Sequence, residues 1–484
     1  MDRNSNIKSP SALVSLIPLA VLVIFLALSI KLFGGDAIAG GSQLSLLAAS
    51  AVCSAMAMGI YHRKWSVLED AIVENMRNAT PAIIILLMIG MIAGTWMASG
   101  IIPSLIYYGL KILHPSIFLP ASCVICAIVS LLTGSSWTTI ATIGVALMGI
   151  GRAQGFEDGW IAGAIISGAY FGDKVSIMSD TTVLASSTAE VPLFKHIKYM
   201  MFTTTPSLII ALTVFTIAGL TATTSASINT GEIETALLNA FNISPWLLVV
   251  PILTGALISR KLPAIITLFA SATMAAIAMI IAQPEIIPQI AGEGVNPAMA
   301  AFKAVVISST TDCSILTGNT LLDDLVATSG MGGMMDTIWL ITCAMCFGGV
   351  MYGSGMLSAI SQIFLRIARR TVSVVGSTVT SGLFFNLTTG DQYISIILTC
   401  NLFRQLYDDR DLERRLLSRS VEDSATVTSV LIPWNSCGMA QSTVLGVATL
   451  TYLPYCIFNI LSPIMSVVVA AIGYKIYKRS KNEE

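Results

Sequence analysis

Apolar runs of about 20 residues recur along the whole chain with short polar stretches between them, which is the pattern of successive membrane-spanning helices. They fall at 12–32, 40–61, 80–99, 203–222, 238–258, 262–282, 336–353 and 452–474. Two longer runs, 159–190 and 419–449, are interrupted by polar residues: Gly172-Asp173-Lys174 through Ser179-Asp180-Thr181-Thr182 in one, Pro433-Trp434-Asn435-Ser436 in the other. These ten segments read as full crossings. Two further runs, 117–152 and 373–406, break near their middles at Thr133-Gly134-Ser135-Ser136 and Thr388-Thr389-Gly390-Asp391. Each half there is about 16 residues, roughly 24 Å of helix and short of a bilayer core, so both are predicted as re-entrant hairpins whose tips stop inside the membrane. Bent backbone at that depth is tolerated only where it lines a cavity or is buried in protein.

The spacing repeats. Gly134 to Asp180 is 46 residues and Gly390 to Asn435 is 45. Paired, interrupted apolar segments at matching positions of two halves are the best sequence pointer to a transporter's binding site. The basic residues orient the chain through the positive-inside rule. Arg3, Lys8, His62, Arg63, Lys64, Lys195, His196, Lys198, Arg260, Lys261, Arg366, Arg369, Arg370, Arg410, Arg414, Arg415, Arg419, Lys475, Lys478, Arg479 and Lys481 all thread to the cytoplasm, with both termini inside. The mouth of the first hairpin then lands outside and that of the second inside. The prediction is an all-α integral membrane protein built as an inverted repeat, 1–222 and 238–474, joined by an external loop 223–237 and closed by a cytoplasmic tail 475–484. Each half adds a surface helix, 101–113 and 355–369. The segment 284–335 has no counterpart in the first half and reads as an outer re-entrant or lid segment.

Composition agrees. The 484 residues are 55% hydrophobic and 11% charged, against about 25% charged in soluble domains. A net charge of −1 with no basic, aromatic-interleaved patch gives no sign of nucleic-acid binding. The apolar run Ala12 to Ile30 is too long for a signal peptide and lacks a cleavage motif. The nine cysteines are scattered, mostly in apolar runs, and make no zinc pattern with the three histidines. No nucleophile–base pair stands out among His62, His114 and His196, so the chain does not read as an enzyme, and no cofactor is expected.

What the apolar runs do contain is charge. An ionisable residue at bilayer depth costs roughly 2.5 to 3.5 kcal/mol on insertion scales and is by default a functional hypothesis. Asp173, Lys174 and Asp180 sit in the first interrupted span; Asp391, Glu422 and Asp423 sit in the second half. Asp173 and Lys174 have a bland alternative as a mutually neutralising pair. Asp180 stands apart, flanked by Ser179, Thr181 and Thr182, whose hydroxyls are hard oxygen ligands suited to Na⁺. Desolvation favours a protonated carboxyl and a bound cation favours the ionised one, so Na⁺ and H⁺ would compete for one group. Thr133, Gly134, Ser135 and Ser136 supply a cation shell from the first tip. Thr389, Asp391, Asp423 and Asn435 are expected as the symmetry-related second wall, although Ser, Thr and Asn at such places also serve as helix caps.

The run Gly168-Ala-Tyr-Phe-Gly-Asp-Lys174 with Ser179-Asp-Thr-Thr182, preceded by Gly134-Ser-Ser-Trp-Thr138 and followed by Glu422-Asp-Ser424 and Pro433-Trp-Asn-Ser436, resembles the NhaC-type sodium/proton antiporters over nearly the whole chain. This chain reads Ile177 where that family often has proline. The resemblance implies exchange of Na⁺ for H⁺ across a bacterial inner membrane, elevator-type alternating access and a homodimer. Some relatives instead couple Na⁺ and H⁺ to malate–lactate exchange, so a small carboxylate or amino acid is the alternative solute.

Overall fold

The computed structural model describes residues 10–33, 40–221, 230–260, 262–292, 294, 296–318, 322–323 and 326–477. Arg3, Lys8, Lys261, Asp324, the first part of the loop 223–237 and Lys478, Arg479 and Lys481 lie outside them. Among the described residues the structure is helical, with a single isolated β-bridge between Cys313 and Thr328. In hydrocarbon each backbone polar group must be satisfied within its own segment, and helices do this without a partner strand.

Among the described residues seven helices are long and apolar enough to cross a membrane, or nine if each of two bent pairs counts as one span. In chain order the helices used below are α1 (Ala12–Phe33), α2 (Gly41–Gly59), α3 (Trp65–Ala98), α4 (Ile101–Ile112), α5 (Pro115–Thr133), α6 (136–153, with a π turn Ile140–Gly144), α7 (Asp158–Val175), α8 (Asp180–Thr188) and α9 (Leu193–Thr221). The second part contains α10 (Thr230–Ala240), α11 (Val249–Ser259), α12 (Ala264–Ala282), α13 (Ile286–Ala291), α14 (Pro297–Thr310), α15 (Met335–Gly353) and α16 (Met356–Ile367). It closes with α17 (Thr371–Thr389), α18 (Gln392–Asp409), α19 (Arg414–Val421, continued by a π turn Glu422–Thr426), α20 (Ser436–Leu445), α21 (Thr449–Tyr452) and α22 (Ile457–Ile472).

Several expected boundaries move. The segment read as a span from 80 starts at Trp65, and its 34 residues carry Glu69, Asp70, Glu74 and Arg77 on the first turns. The expected continuous crossing 238–258 is bent by 88° between α10 and Pro245, because Pro245 lacks an N–H and opens a new 3₁₀ turn instead. The count of ten spans is not reached by length and apolarity, since α19 has 8 residues and α7 carries three charged residues in its 18. The arms α5 and α17 are 19 residues each rather than about 16. At roughly 28 Å they approach the bilayer core thickness, so arm length by itself does not put the tips at mid-membrane.

The surface helices are where the pattern placed them, α4 and α16, each following a left-handed glycine, Gly100 or Gly355. The segment 284–335 docks on α3. A methyl group on Gly94 would lie 1.7 Å from the Ser308 carbonyl oxygen, and one on Gly90 would lie 2.4 Å from that of Gly330. Two glycines one turn apart are what let this backbone seat directly on the helix.

Candidate functional site

Four helix breaks position the polar residues. α5 ends at Gly134 (φ +69°) and the chain restarts at Ser135, whose Oγ accepts the Thr138 N–H at 3.2 Å as the N-cap of α6. α17 ends at Gly390 (φ +69°) and restarts at Asp391, whose Oδ1 accepts the Tyr393 and Ile394 N–H groups at 2.8 and 3.1 Å. The two tips share further bonds. Thr133 Oγ1 lies 3.2 Å from Thr139 Oγ1, and Thr389 Oγ1 lies 3.2 Å from Ser395 Oγ; in each tip the capping residue's N–H donates to that threonine at 3.4 Å. A left-handed glycine followed by a short polar cap turns the chain in the fewest residues. The other two breaks follow the same logic. Ser179 caps α8 through the Thr182 N–H, and Asn435 caps α20 through the Cys437 N–H at 3.1 Å.

Three of the breaks, at Gly134, Ser179 and Gly390, converge on a cavity of about 690 Å³. Thr133, Gly134 and Ser135 of the first tip line it, with Asp173, Asp180 and Thr181 of the first interrupted helix and Asp391 of the second tip. Asp173 is buried, 6% exposed, and is held from the tip: the N–H and hydroxyl of Ser136 both donate to its Oδ2, at 3.1 and 2.7 Å. This also sets the carboxylate against the N-terminus of α6, where the helix dipole favours negative charge. Asp180 is exposed to the cavity and makes no hydrogen bond or ion pair among the described residues. Beside it the Ser179 and Thr181 hydroxyls are 2.9 Å apart. Carboxylates and hydroxyls gathered at broken helix ends form a donor set for a hard cation.

Of the sequence-predicted residues, Ser136 and Ser179 stand directly behind the cavity wall as partners of its lining. Thr389 braces the second tip from a buried position. Asn435 is also buried; its amide donates to the Asn386 carbonyl at 3.2 Å. Asp423 is not on the cavity at all. It forms a fully buried ion pair with Lys174, which also donates to Ser462 at 2.8 Å, while Thr203 donates to Asp423 Oδ1 at 3.1 Å. The expected second wall of Asp391, Asp423 and Asn435 therefore reduces, at the cavity, to Asp391. The bland Asp173–Lys174 pair is corrected too, because adjacent residues on a helix point to different sides and Lys174 faces α22.

Sequence reasoning missed the remaining walls. Asn78, Pro81 and Ile85 of α3 and Leu262, Pro263 and Thr267 around α12 close the side opposite the tips, with Gln392 and Tyr393 beside Asp391. Asn78 and Pro81, a polar residue and a helix breaker where α3 passes from its charged first turns to its apolar part, carried a local signal.

Two devices of broken helices meeting at a carboxylate-lined cavity in a helical membrane protein define a secondary transporter. The chain belongs to the Na⁺/H⁺ antiporter family, whose model matches residues 168–474. It is 36% identical to the Na⁺/H⁺ antiporter NhaC of Bacillus subtilis (strain 168) over 410 residues, 84% of this chain and 87% of that one. Two other relatives carry different names. The malate-2H⁺/Na⁺-lactate antiporter of the same organism is 34% identical over 86% of both chains. The arginine/ornithine antiporter ArcD of Halobacterium salinarum is 35% identical over 98% of this chain and 95% of its own. The solved structure of Neisseria gonorrhoeae MtrF aligns over 95% of each chain, with 13% identity and a TM-score of 0.37.

Proposed function

We propose that this chain exchanges Na⁺ for H⁺ across a bacterial inner membrane, with both termini cytoplasmic. The observation that carries the reading is the gathering of Asp173, Asp180, Thr133, Ser135 and Thr181 from separate segments around one cavity. Asp180 and Asp173 are the exchanging carboxylates. Each takes a proton when the cation leaves and loses it when Na⁺ arrives, because the hydroxyls around them coordinate a bare cation but do not compensate an uncovered charge.

The cavity's mouth supports an inward-facing state. Its outer lining includes Leu262 and Pro263, next to Arg260 in a loop assigned to the cytoplasm by its basic residues. Arranging 1–222 and 238–474 as an inverted repeat, with re-entrant tips at Gly134 and Gly390, accounts for the matched tip bonds. An elevator movement of the tips and the interrupted helices past α3 and α12 is the alternating-access step this arrangement permits. A homodimer follows the family resemblance.

A second reading is favoured by size. At about 690 Å³ the cavity is in the range of small-molecule sites, roughly 300–1,000 Å³, and far exceeds what a bare cation needs. Relatives named for malate, lactate, arginine and ornithine fit an organic solute bound beside the ion. Proton flux in proteoliposomes, read with a pH-sensitive dye while Na⁺ is added across an imposed pH gradient and no organic solute is present, separates the two. Prompt Na⁺-dependent alkalinisation establishes simple antiport. A response that needs malate, lactate or an amino acid establishes the second reading.

A further inference from the structure

Behind the cavity lies a second group of ionisable side chains that the cation site does not use: Lys174, Arg419, Glu422 and Asp423, all 0% exposed. Lys174 and Asp423 satisfy each other with help from Ser462 and Thr203. Arg419 stacks 4.8 Å over the Tyr199 ring, and its Nε is 3.9 Å from Asp423 Oδ2. Neither carboxyl oxygen of Glu422 has a hydrogen-bond partner among the described residues, and the Arg419 guanidinium nitrogens, Asp423 Oδ2 and the Thr426 hydroxyl one turn on lack one too; Glu422 alone among the four charged residues has neither a hydrogen bond nor an ion pair. An ionised carboxylate so placed loses its hydration without replacement, whereas a protonated one needs only a weak acceptor. Glu422 also opens the π turn Glu422–Thr426, a departure from helix geometry that is frequent at functional sites.

We propose that Glu422 carries the exchanged proton at a site separate from the cation cavity and coupled to it through Lys174. This rests on the cation-exchange reading above for Na⁺ at Asp173 and Asp180 and departs from it on the proton, which Glu422 carries in place of those two carboxylates. The groups facing Glu422 are few. α7 presents Lys174 and Asp173, the π turn itself holds Asp423, α18 brings Cys400 toward Glu422, and Arg419 of α19 joins the group through Asp423, 3.9 Å from it. α17 and α22, also packed on the turn, contain no titratable residue, and the only one in α8 is Asp180. With Glu422 ionised, two cations face two carboxylates and the group is neutral. With Glu422 protonated it holds one net positive charge immediately behind Asp173. That charge stabilises an empty, ionised Asp173 and repels Na⁺, so proton uptake at Glu422 expels the cation without sharing a ligand with it. In one access state the acid form releases its proton to water and becomes the carboxylate; in the other the carboxylate takes a proton from water.

The experiment uses the full chain in proteoliposomes, with radioactive Na⁺ counterflow and Na⁺-driven proton movement measured side by side. Glu422→Gln is expected to keep Na⁺ counterflow within about twofold of the parent and lose proton movement by about tenfold or more, with the pH dependence of Na⁺ affinity flattened. Parental proton movement in Glu422→Gln overturns the proposal, because an amide has no proton to exchange. If Glu422→Gln loses both fluxes, Glu422→Asp decides: coupling that returns with Asp supports a proton carrier, and a variant equally dead shows a structural role and overturns it. A parent chain that exchanges no Na⁺ at all defeats the cation-exchange reading, and this inference falls with it.

Discussion

The two hairpin tips share a backbone and differ in chemistry. Both end a 19-residue helix at a glycine with φ +69° and restart on a polar N-cap braced by a threonine. In the first, the cap is Ser135 and the carboxylates come from the neighbouring broken helix, one held by Ser136 and one left open to the cavity. In the second, the carboxylate is the cap itself: Asp391 spends Oδ1 on two backbone N–H groups and its Oδ2 receives Ser436 at 3.3 Å. The other acids of that half, Glu422 and Asp423, are sealed behind the cavity. Two tips of one backbone shape can thus carry different chemistry, the first leaving a neighbouring carboxylate open to the cavity and the second using its own carboxylate to hold itself together.

The comparison breaks most sharply at Asp180. Asp180→Asn removes the one site carboxylate that has no structural partner, so folding stability is expected to change by less than about 0.5 kcal/mol, as for surface substitutions. Na⁺-driven proton flux is expected to fall at least about a hundredfold, the loss when a charge-compensating group is removed from a desolvated site. Full Na⁺-dependent flux in a folded Asp180→Asn protein would show that the open carboxylate is not the exchanging group.

Lys174 tests the sealed group behind the cavity. Lys174→Met takes from the buried Asp423 its close cation and leaves it Arg419 at 3.9 Å, a loss of about 3 to 5 kcal/mol for a broken buried pair. The double variant Lys174→Met with Asp423→Leu should recover most of it, since apolar replacement of a whole buried pair is often neutral. Thermal unfolding in detergent gives both numbers. A double variant as stable as the parent that still lacks proton coupling would assign the pair a role in exchange beyond packing.

Much of this frame is written locally and some of it is not. Thr133-Gly134-Ser135 and Thr389-Gly390-Asp391 announce their turns because a left-handed glycine and a short polar cap are local requirements, visible without knowing what they face. The same holds for the breaks at Ser179 and Asn435. The 88° bend before Pro245 was masked by an unbroken apolar run, although proline marked it. The partner of Asp423 was invisible for another reason: Lys174 is 249 residues away, and which acid a buried lysine meets is decided by how α7, α9 and α22 pack. The docking of 284–335 on Gly90 and Gly94 is likewise a property of two surfaces, so a sequence scan sees only small residues one turn apart.

The glycines sharpen the contrast at smaller cost. An alanine at either tip pays about 1 kcal/mol for a left-handed backbone. At Gly134 the new methyl also meets the Met178 backbone at 2.6 Å, whereas at Gly390 the nearest atoms are the side chains of Ala344 and Met345 at 3.2 and 3.3 Å. Gly134→Ala should therefore cost about 3 kcal/mol and Gly390→Ala about 1 to 1.5 kcal/mol. Because Met178 belongs to the break between α7 and α8, Gly134→Ala should also displace Asp180 and weaken Na⁺ affinity, and Gly390→Ala should not. Equal effects on affinity would mean that the two tips contribute alike to the cation site.

The smallest expected effect falls on Asp391, and it is the most discriminating for the division of labour. Asp391 lines the cavity but its oxygens are occupied by Tyr393, Ile394 and Ser436. Asparagine is as good an N-cap as aspartate and keeps an acceptor where Oδ1 stands, so Asp391→Asn should cost no more than about 1 kcal/mol. With the first-half carboxylates untouched, the Na⁺ concentration for half-maximal flux should rise by no more than about fivefold, the scale of one weak electrostatic contribution. Titrating Na⁺ in the proteoliposome assay at fixed pH measures it. A loss as deep as that of Asp180→Asn would make Asp391 an ion ligand first and a cap second. The second tip would then share the first one's chemistry as well as its shape, and the cation would sit between the halves.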